Sequence, residues 1–418
     1  MKRMLGHRQR KLVALLAATT VLAAGCGSRA SDPTADSNQE GCADTSGDTV
    51  TIGAINSLSG GLAVSESVIH DAIAMAVDEI NAGGGVLGKQ LELLSEDGAS
   101  DPTVFAEKAQ KLVQSDCAAV VFGGYTSASR KAMLPVFEDA NALLYYGQQY
   151  EGLEFSPNIY YTGATTNQQI IPSLDYLKSQ GVKSLYLVGS DYVFPRTSNA
   201  IVKAYAEANG IEIKGEDYVP LDSTNFATIV NKIRTADADA IFNVVVGASL
   251  TSFFREYNSA GLTAQAMPVM SMCVGEEEVK SIGADTLVGQ LSSWNYYETL
   301  DTPANTKFVV DFKAKYGPDR VTSDPMESAY TAVNLWKATV EKANSFKVAD
   351  IQNASDGVTI DAPEGPVTID GENHHVTKTA RVGVVAPNGL IDQVWQSPEP
   401  IVPDPFLKTY PWAEGIAG

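Results

Sequence analysis

Histidine is almost missing from these 418 residues, with four in all. A Ser-His-Asp hydrolase needs a histidine beside its nucleophile, and no Gly-x-Ser-x-Gly elbow occurs in the chain. His7 lies in the opening stretch, His70 falls in a helical pattern, and His374 and His375 are adjacent. Neighbouring side chains on an extended segment point to opposite faces, so that pair cannot chelate one ion. Cysteine is scarce as well, with four residues and no Cys-x-x-Cys or Cys/His spacing, which argues against zinc. Basic residues are outnumbered by acids, 30 to 50, for a net charge of −20. A chain so acidic has no electrostatic footprint for phosphate backbones, so no nucleic-acid partner is expected. No stretch beyond the N-terminus reaches 18 apolar residues, so nothing there spans a bilayer. Gly83-Gly84-Gly85-Val86-Leu87-Gly88-Lys89 fits seven positions of a Walker A loop, but Gln90 stands where Ser or Thr is needed. It also follows a helix and precedes a strand, the reverse of the phosphate-cradling order. It reads as a helix-ending turn. The expectation is no catalytic set, no cofactor and no metal.

What the chain does carry begins at its N-terminus. A basic opening (Lys2, Arg3, Arg8, Arg10, Lys11) precedes an apolar run from Leu12 to Ala24, the layout of a secretory signal. The run is 13 residues long, short of the roughly 20 a bilayer core requires. Leu22-Ala23-Ala24-Gly25-Cys26 resembles a bacterial lipobox, which implies that residues 1–25 are removed and Cys26 is lipidated. Residues 26–47, rich in Ser, Asp, Thr and Gly, read as a flexible tether. Of the other cysteines, Cys42 and Cys117 both precede strands. In a parallel sheet both sit at its N-terminal edge, where they could pair in an oxidising compartment. Cys273 lies in the apolar run 267–274 and reads as a buried free thiol.

From Thr49 onward, β-rich runs alternate with helical periods, beginning with the strand 49–55 and the helix 68–82. Two consecutive βαβ series predict an α/β protein with two doubly wound parallel sheets. The rhythm breaks after about residue 300, where helices 304–316 and 326–344 come close together. An Asn388-Gly389 turn then marks a hairpin, as in a chain that crosses between lobes more than once. The expected division is lobe one over 48–166 plus 293–345, lobe two over 167–292 plus 346–405, and a tail over 406–418.

Open parallel sheets bind ligands at the carboxyl ends of their strands. The loops there are 56–67, 123–127, 147–151, 190–195 and 247–250, rich in Ser, Thr, Tyr, Asn and Gln and poor in His and Lys. That inventory suits hydrogen bonding to a small polar solute. Candidate ligand-binding residues are Ser65, Glu66, Tyr125, Thr126, Ser127, Gln148, Tyr150, Asp191, Tyr192, Gly247 and Tyr296. Glu66 or Asp191 would accept from ligand nitrogens, Thr126 and Ser127 would donate to a carbonyl, and the tyrosine rings would exclude water.

The run Ile80-Asn81-Ala82-Gly83-Gly84-Gly85-Val86-Leu87-Gly88-Lys89, followed by Glu96-Asp97, resembles the branched-chain amino-acid-binding group of type I solute-binding proteins of ABC transporters. Tyr125-Thr126-Ser127-Ala128-Ser129-Arg130-Lys131, Gln149-Tyr150-Glu151-Gly152, Asn167-Gln168-Gln169 and Gly189 through Arg196 narrow the resemblance to the branch that binds urea and short-chain amides. Asp361-Ala362-Pro363-Glu364-Gly365 and Ser397 through Ile401 belong to the same pattern. Trp294-Asn295-Tyr296-Tyr297 and Asp301 through Asn305 are similar to the urea-binding components. Val246-Gly247-Ala248-Ser249 departs from both the urea and the amide patterns. The resemblance spans nearly all of residues 49–405. It implies a type I periplasmic-binding-protein fold, urea or a small amide as ligand, a permease as partner and a lipid anchor in the membrane. Acetamide-like amides, branched-chain amino acids, or an amide-sensing regulator are the alternatives.

Overall fold

The computed structural model describes residues 42–416. Cys26, the signal and most of the tether lie outside them. In chain order the first series is β1 (Thr49–Asn56), α1 (Ala63–Ala82), β2 (Gln90–Asp97), α2 (Pro102–Gln110), β3 (Val121–Gly123), α3 (Ser127–Ala140), β4 (Leu144–Tyr146) and β5 (Ile159–Tyr161). The second is α4 (Ile170–Ser179), β6 (Ser184–Ser190), α5 (Val193–Asn209), β7 (Glu212–Val219), α6 (Ala227–Ala236), β8 (Ala240–Val244), α7 (Ser249–Ser259), β9 (Val269–Ser271), α8 (Glu276–Ile282), α9 (Ala284–Leu287) and β10 (Leu291–Trp294). There follow α10 (Pro303–Tyr316), α11 (Asp324–Ala343), α12 (Val348–Ala354), β11 (Thr359–Ala362), β12 (Gly365–Asp370), β13 (His375–Val376), β14 (Arg381–Val385) and β15 (Ile391–Gln396).

Local chemistry sets the ends of these elements. Asp101 caps α2 by accepting from the Thr103 amide at 2.7 Å, with Pro102 in the first turn. Thr126 and Thr302 cap α3 and α10 in the same way. After α1 the left-handed residues are Gly84 and Gly85, not Gly83. A Cβ on Gly85 would fall 1.9 Å from the Lys89 carbonyl oxygen, so only glycine closes this turn. The phosphate-loop look-alike is therefore a reversal between helix and strand.

The sheets run β11-β12-β13-β5-β4-β3-β1-β2 and β15-β14-β10-β9-β8-β6-β7. Within each, the parallel strands share one order, β2-β1-β3-β4-β5 and β7-β6-β8-β9-β10; at one edge the first sheet adds β13, parallel to β5, and then β12 and β11 in antiparallel pairings, and the second adds β14 and β15 in antiparallel pairings. Central strands such as β6 and β8 are buried along their whole length, as strands covered by helices on both faces must be. The edge strand β7 is mostly half-buried. The two-sheet α/β architecture expected from the alternation is present.

The lobe division needs one correction. Residues 346–376 lie with the first sheet, not the second, because α12 and β11–β13 bury Ile351, Val358, Val367, Ile369 and Val376 in the first lobe's core. Only β14 and β15 return to the second sheet. A second correction concerns the tether, whose last residues are held. Cys42 is disulfide-bonded to Cys117, and Lys89 Nζ donates to the Gly47 carbonyl. The tail also packs, with Trp412 edge-on to Tyr205 at 5.7 Å.

The chain passes between lobes at 162–169, 295–302 and 377–380, and these passages are stitched to one another. Gln168 Nε2 donates to Val376 and Ile401 carbonyls, and Gln169 Nε2 to those of Met272 and Ser293. Asn295 Nδ2 donates to Gln168 and Thr379 carbonyls. Asp324 Oδ2 accepts the Asn295 and Tyr296 amides, both at 2.9 Å. Beside them the fully buried Lys378 donates to Glu364 at 2.7 Å. His374 and His375 stack on Tyr160 and Tyr161, on opposite faces of β5, at 4.3 and 4.4 Å.

Candidate functional site

The carboxyl ends of the parallel strands of both sheets face each other, and the lobes meet there. Between them lies a cavity of about 10 Å³, room for roughly one water molecule. Its lining is Tyr125, Ser127, Gln148 and Gln149 from the first lobe, and Tyr192, Phe194, Val246 and Cys273 from the second. Tyr125, Gln148, Tyr192, Val246 and Cys273 each stand two residues beyond the end of their strand. They are the first positions clear of the ladder that still share a side with its last residue, given the period of two.

Behind Tyr125 a partly buried hydrogen bond joins the lobes, from Ser65 Oγ on α1 to Glu278 Oε1 on α8 at 2.8 Å. Glu278 Oε2 accepts the Gly275 amide at 3.0 Å. Burial pushes the Tyr125 and Tyr192 hydroxyls and the Cys273 thiol well above their ordinary values, so all three stay protonated. Glu66 Oε2 accepts the Ser57 amide at 2.7 Å, while Oε1 is buried without a partner. Burial raises the Glu66 carboxyl to about 8, against the opposing pull of the Ser57 hydrogen bonds.

Ser127 is set by a charged cluster beneath it. Its hydroxyl donates to Glu151, and Arg130 Nη1 donates to its oxygen at 3.0 Å. Arg130 is fully buried, pairs with Glu151 at 3.2 Å and Glu154 at 2.7 Å, and lies 4.3 Å from the Tyr150 ring centroid.

Of the candidates read from the sequence, Tyr125, Ser127, Gln148 and Tyr192 come together at the cavity. Ser65 and Glu66 stand behind it. Gly247 is at the rim, where a Cβ would come 3.0 Å from Leu62 of the other lobe. Four others are placed elsewhere. Thr126 Oγ1 accepts the Ser129 amide at 3.0 Å as the cap of α3, so its oxygen is committed to the helix. Tyr150 is inside the first lobe, with its hydroxyl 2.5 Å from His375 Nε2. Asp191 is exposed and pairs with Arg196 at 2.6 Å. Tyr296 is in the first core, bonded to Asn305 at 2.6 Å and Thr322 at 2.7 Å. Gln149, Phe194, Val246 and Cys273 were not among the candidates; strand end plus two would have found Val246 and Cys273.

The buried acids give a pH dependence with a definite sign. Glu66 and the crossing-side Glu327, each raised to about 8 chiefly by burial, hold protons in the folded state that the unfolded chain has released. Stability therefore falls as pH rises from the ordinary carboxylate range to about 8. His374 and His375, held down to about 4 and 3 by burial, act oppositely but only below pH 6.5. Between pH 6.5 and 8.5 the melting temperature is expected to decline. Glu66→Gln should flatten that decline, and an unchanged slope would contradict the assignment.

Comparison with known proteins places these features. Residues 50–411 match the family described as periplasmic binding protein domain. A Leu/Ile/Val-binding protein homolog of Brucella melitensis is 26% identical over 347 residues, 81% of this chain and 88% of its own length. A solved solute-binding protein of an ABC transporter from Rhodopseudomonas palustris HaA2, in complex with p-hydroxybenzoic acid, superposes with a TM-score of 0.77 at 25% identity. That match covers 84% of this chain and 97% of the other. The branched-chain amino acid transporter substrate-binding protein of Streptococcus pneumoniae, in complex with isoleucine, gives 0.73 at 22% identity, covering 85% and 100%.

Proposed function

The chain belongs to the periplasmic binding protein family of solute receptors, and from that premise we propose that its solute is a small neutral amide, urea foremost. The observation that carries the reading is the cavity's lining. None of its eight residues bears a charge, so nothing there answers a carboxylate or an ammonium group. Burying either without a partner costs several kcal/mol. At about 10 Å³ the cavity admits one water and not a solute, so any ligand, urea included, requires side chains or lobes to move apart.

Urea has four non-hydrogen atoms, and a ceiling near 1.5 kcal/mol per atom limits binding to roughly 6 kcal/mol, a dissociation constant of tens of micromolar. Approaching that limit requires both lobes to close on the solute, a hinge motion about the three passages between them. The loaded receptor would deliver its solute to an ABC permease, outside the cytoplasm, held to the membrane by lipid on Cys26. Among the described residues no helix is long and apolar enough to cross a membrane.

Calorimetric titration of residues 41–418 with urea, acetamide, formamide, leucine and p-hydroxybenzoate tests this. Urea or an amide is expected to bind, with Tyr192→Phe weakening it roughly three- to tenfold through one lost hydrogen bond. Binding of leucine or p-hydroxybenzoate with no response to any amide would overturn it. Cys26→Ser in the full chain should release the protein from membranes or leave it unprocessed.

A further inference from the structure

We propose that one wall of the cavity has a fixed hydrogen-bond polarity, in which Ser127 Oγ and Gln148 Oε1 face the solute as acceptors, so that ligand N–H groups are favoured there and isosteric carboxylates are disfavoured. This rests on the amide reading above and specifies how the site would enforce it.

The polarity follows from groups that have no choice of role. A backbone carbonyl can only accept. Gln149 Nε2 lies 3.3 Å from the Met272 carbonyl oxygen, across the interface between lobes, so the nitrogen end of that amide faces the second lobe. Its Oε1 is left to accept, and Gln148 Nε2 donates to it. The Gln148 amide is thereby oriented with one N–H toward Gln149, and its Oε1 is buried without a partner. Gln148 is 4% exposed and lines the cavity. A buried, unpaired carbonyl oxygen costs roughly 1–3 kcal/mol until a donor reaches it.

On the neighbouring wall the constraint starts from Arg130. A guanidinium has donors only. Its Nη1 donates to Ser127 Oγ at 3.0 Å and its Nη2 to Glu151 Oε1 at 3.2 Å. Glu151 takes the single proton of the Ser127 hydroxyl through its other oxygen. With its proton given away, Ser127 offers the cavity only a lone pair. Two acceptors facing one small solute call for two N–H bonds, which one –NH₂ group of an amide can supply.

Acetamide and acetate have nearly the same shape and differ in the group these acceptors would meet. Acetate would set a charged oxygen against two lone pairs. A site built to bond an N–H rejects the analogue lacking it by a large factor, so acetate is expected to bind at least roughly a hundredfold more weakly than acetamide. The relay also depends on lobe closure, because Gln149 takes its orientation from Met272 in the opposite lobe.

The decisive experiment measures acetamide and acetate affinities by calorimetry for the wild-type chain, Gln149→Leu and Glu151→Gln, each checked for folding by thermal melting. Gln149→Leu releases the Gln148 amide to turn its nitrogen inward. Glu151→Gln puts an amide that can donate where a carboxylate accepted, which returns the Ser127 proton to the cavity; Glu154 still pairs Arg130. Each variant is expected to shrink the acetamide-to-acetate ratio at least about tenfold, chiefly by improving acetate. Should Glu151→Gln fail to fold, Gln149→Leu alone decides. Wild-type binding of acetate as tight as acetamide, or a ratio unchanged in the folded variants, would overturn the fixed polarity while leaving the amide receptor standing. A wild-type chain that takes up no neutral amide would remove both.

Discussion

Arg130→Ala is expected to destabilise the first lobe by about 3–5 kcal/mol, the usual consequence of breaking a buried ion pair by removing one partner. The side chain is fully buried, with Tyr146 and Tyr150 ring centroids at 5.0 and 4.3 Å and two carboxylates bonded to it. Without the guanidinium, Glu151 and Glu154 lie nearly buried with only Lys131, itself partly exposed, to answer them. Burial by itself would push Glu154 up, yet Arg130 and Lys131 together hold it down to about 2. A carboxylate depressed in the folded state adds stability above its ordinary range, and that stability is lost as pH falls through the folded value. The variant should melt at a lower temperature at neutral pH, and its deficit against wild type should shrink as pH falls toward about 2, where the wild type loses the same ion pair. Arg130→Lys keeps the charge and loses the fork, so its loss should be intermediate. Guanidinium chloride is the denaturant of choice, because urea is the proposed ligand. A loss below about 1 kcal/mol would show that the cluster is not holding the lobe.

Opening the Cys42–Cys117 bridge should have an effect of similar size. The bridged residues are 75 apart in sequence, and the chain-entropy model assigns a loop of that length about 4 kcal/mol. The bridge ties the segment entering β1 to the segment entering β3, neighbouring strands paired at Gly53 and Val121. Cys117 has a positive φ of 53°, so its backbone turns sharply to bring the thiol back to Cys42. Cys117→Ser, or reduction, should lower the guanidinium midpoint accordingly while leaving the solute cavity intact at the far end of the strands. Under denaturing, non-reducing conditions the chain from residue 41 should titrate as one free thiol, Cys273. Three free thiols would refute the bridge.

The strand and helix rhythm is legible because parallel strands covered on both faces read as unbroken apolar runs, as residues 118–122 (Ala-Ala-Val-Val-Phe) entering and forming β3 do. The lobe membership of β11–β13 is not, because a short hairpin with alternate burial would fit the edge of either sheet. What decides is which edge lies within reach after α12, and that is long-range information. At the site, Tyr125, Ser127, Gln148 and Tyr192 stand out as polar side chains just past strand ends. Tyr150 and Tyr296 carry the same signature and point into the first lobe, since a tyrosine's composition says nothing of which side its ring takes. Thr126 misleads for another reason: helix capping competes for the same hydroxyl. Phe194, Val246 and Cys273 escape notice because an apolar wall residue looks like any core residue.

The alternation of the chain between lobes also governs when each can be finished. The first sheet opens with β1 at residue 49 and is not complete until β13 at residue 376, while the second, begun at residue 184, awaits β15 at residue 396. During synthesis from the N-terminus, neither lobe can close its sheet until nearly the whole chain has been made. Each would for a time expose an unpaired edge, β5 in one and β10 in the other. Domains usually fold as units from the N-terminal one onward, but here the two must mature together. Pairings that join residues more than 200 positions apart, such as His375 with Tyr161, come late and slow the overall rate.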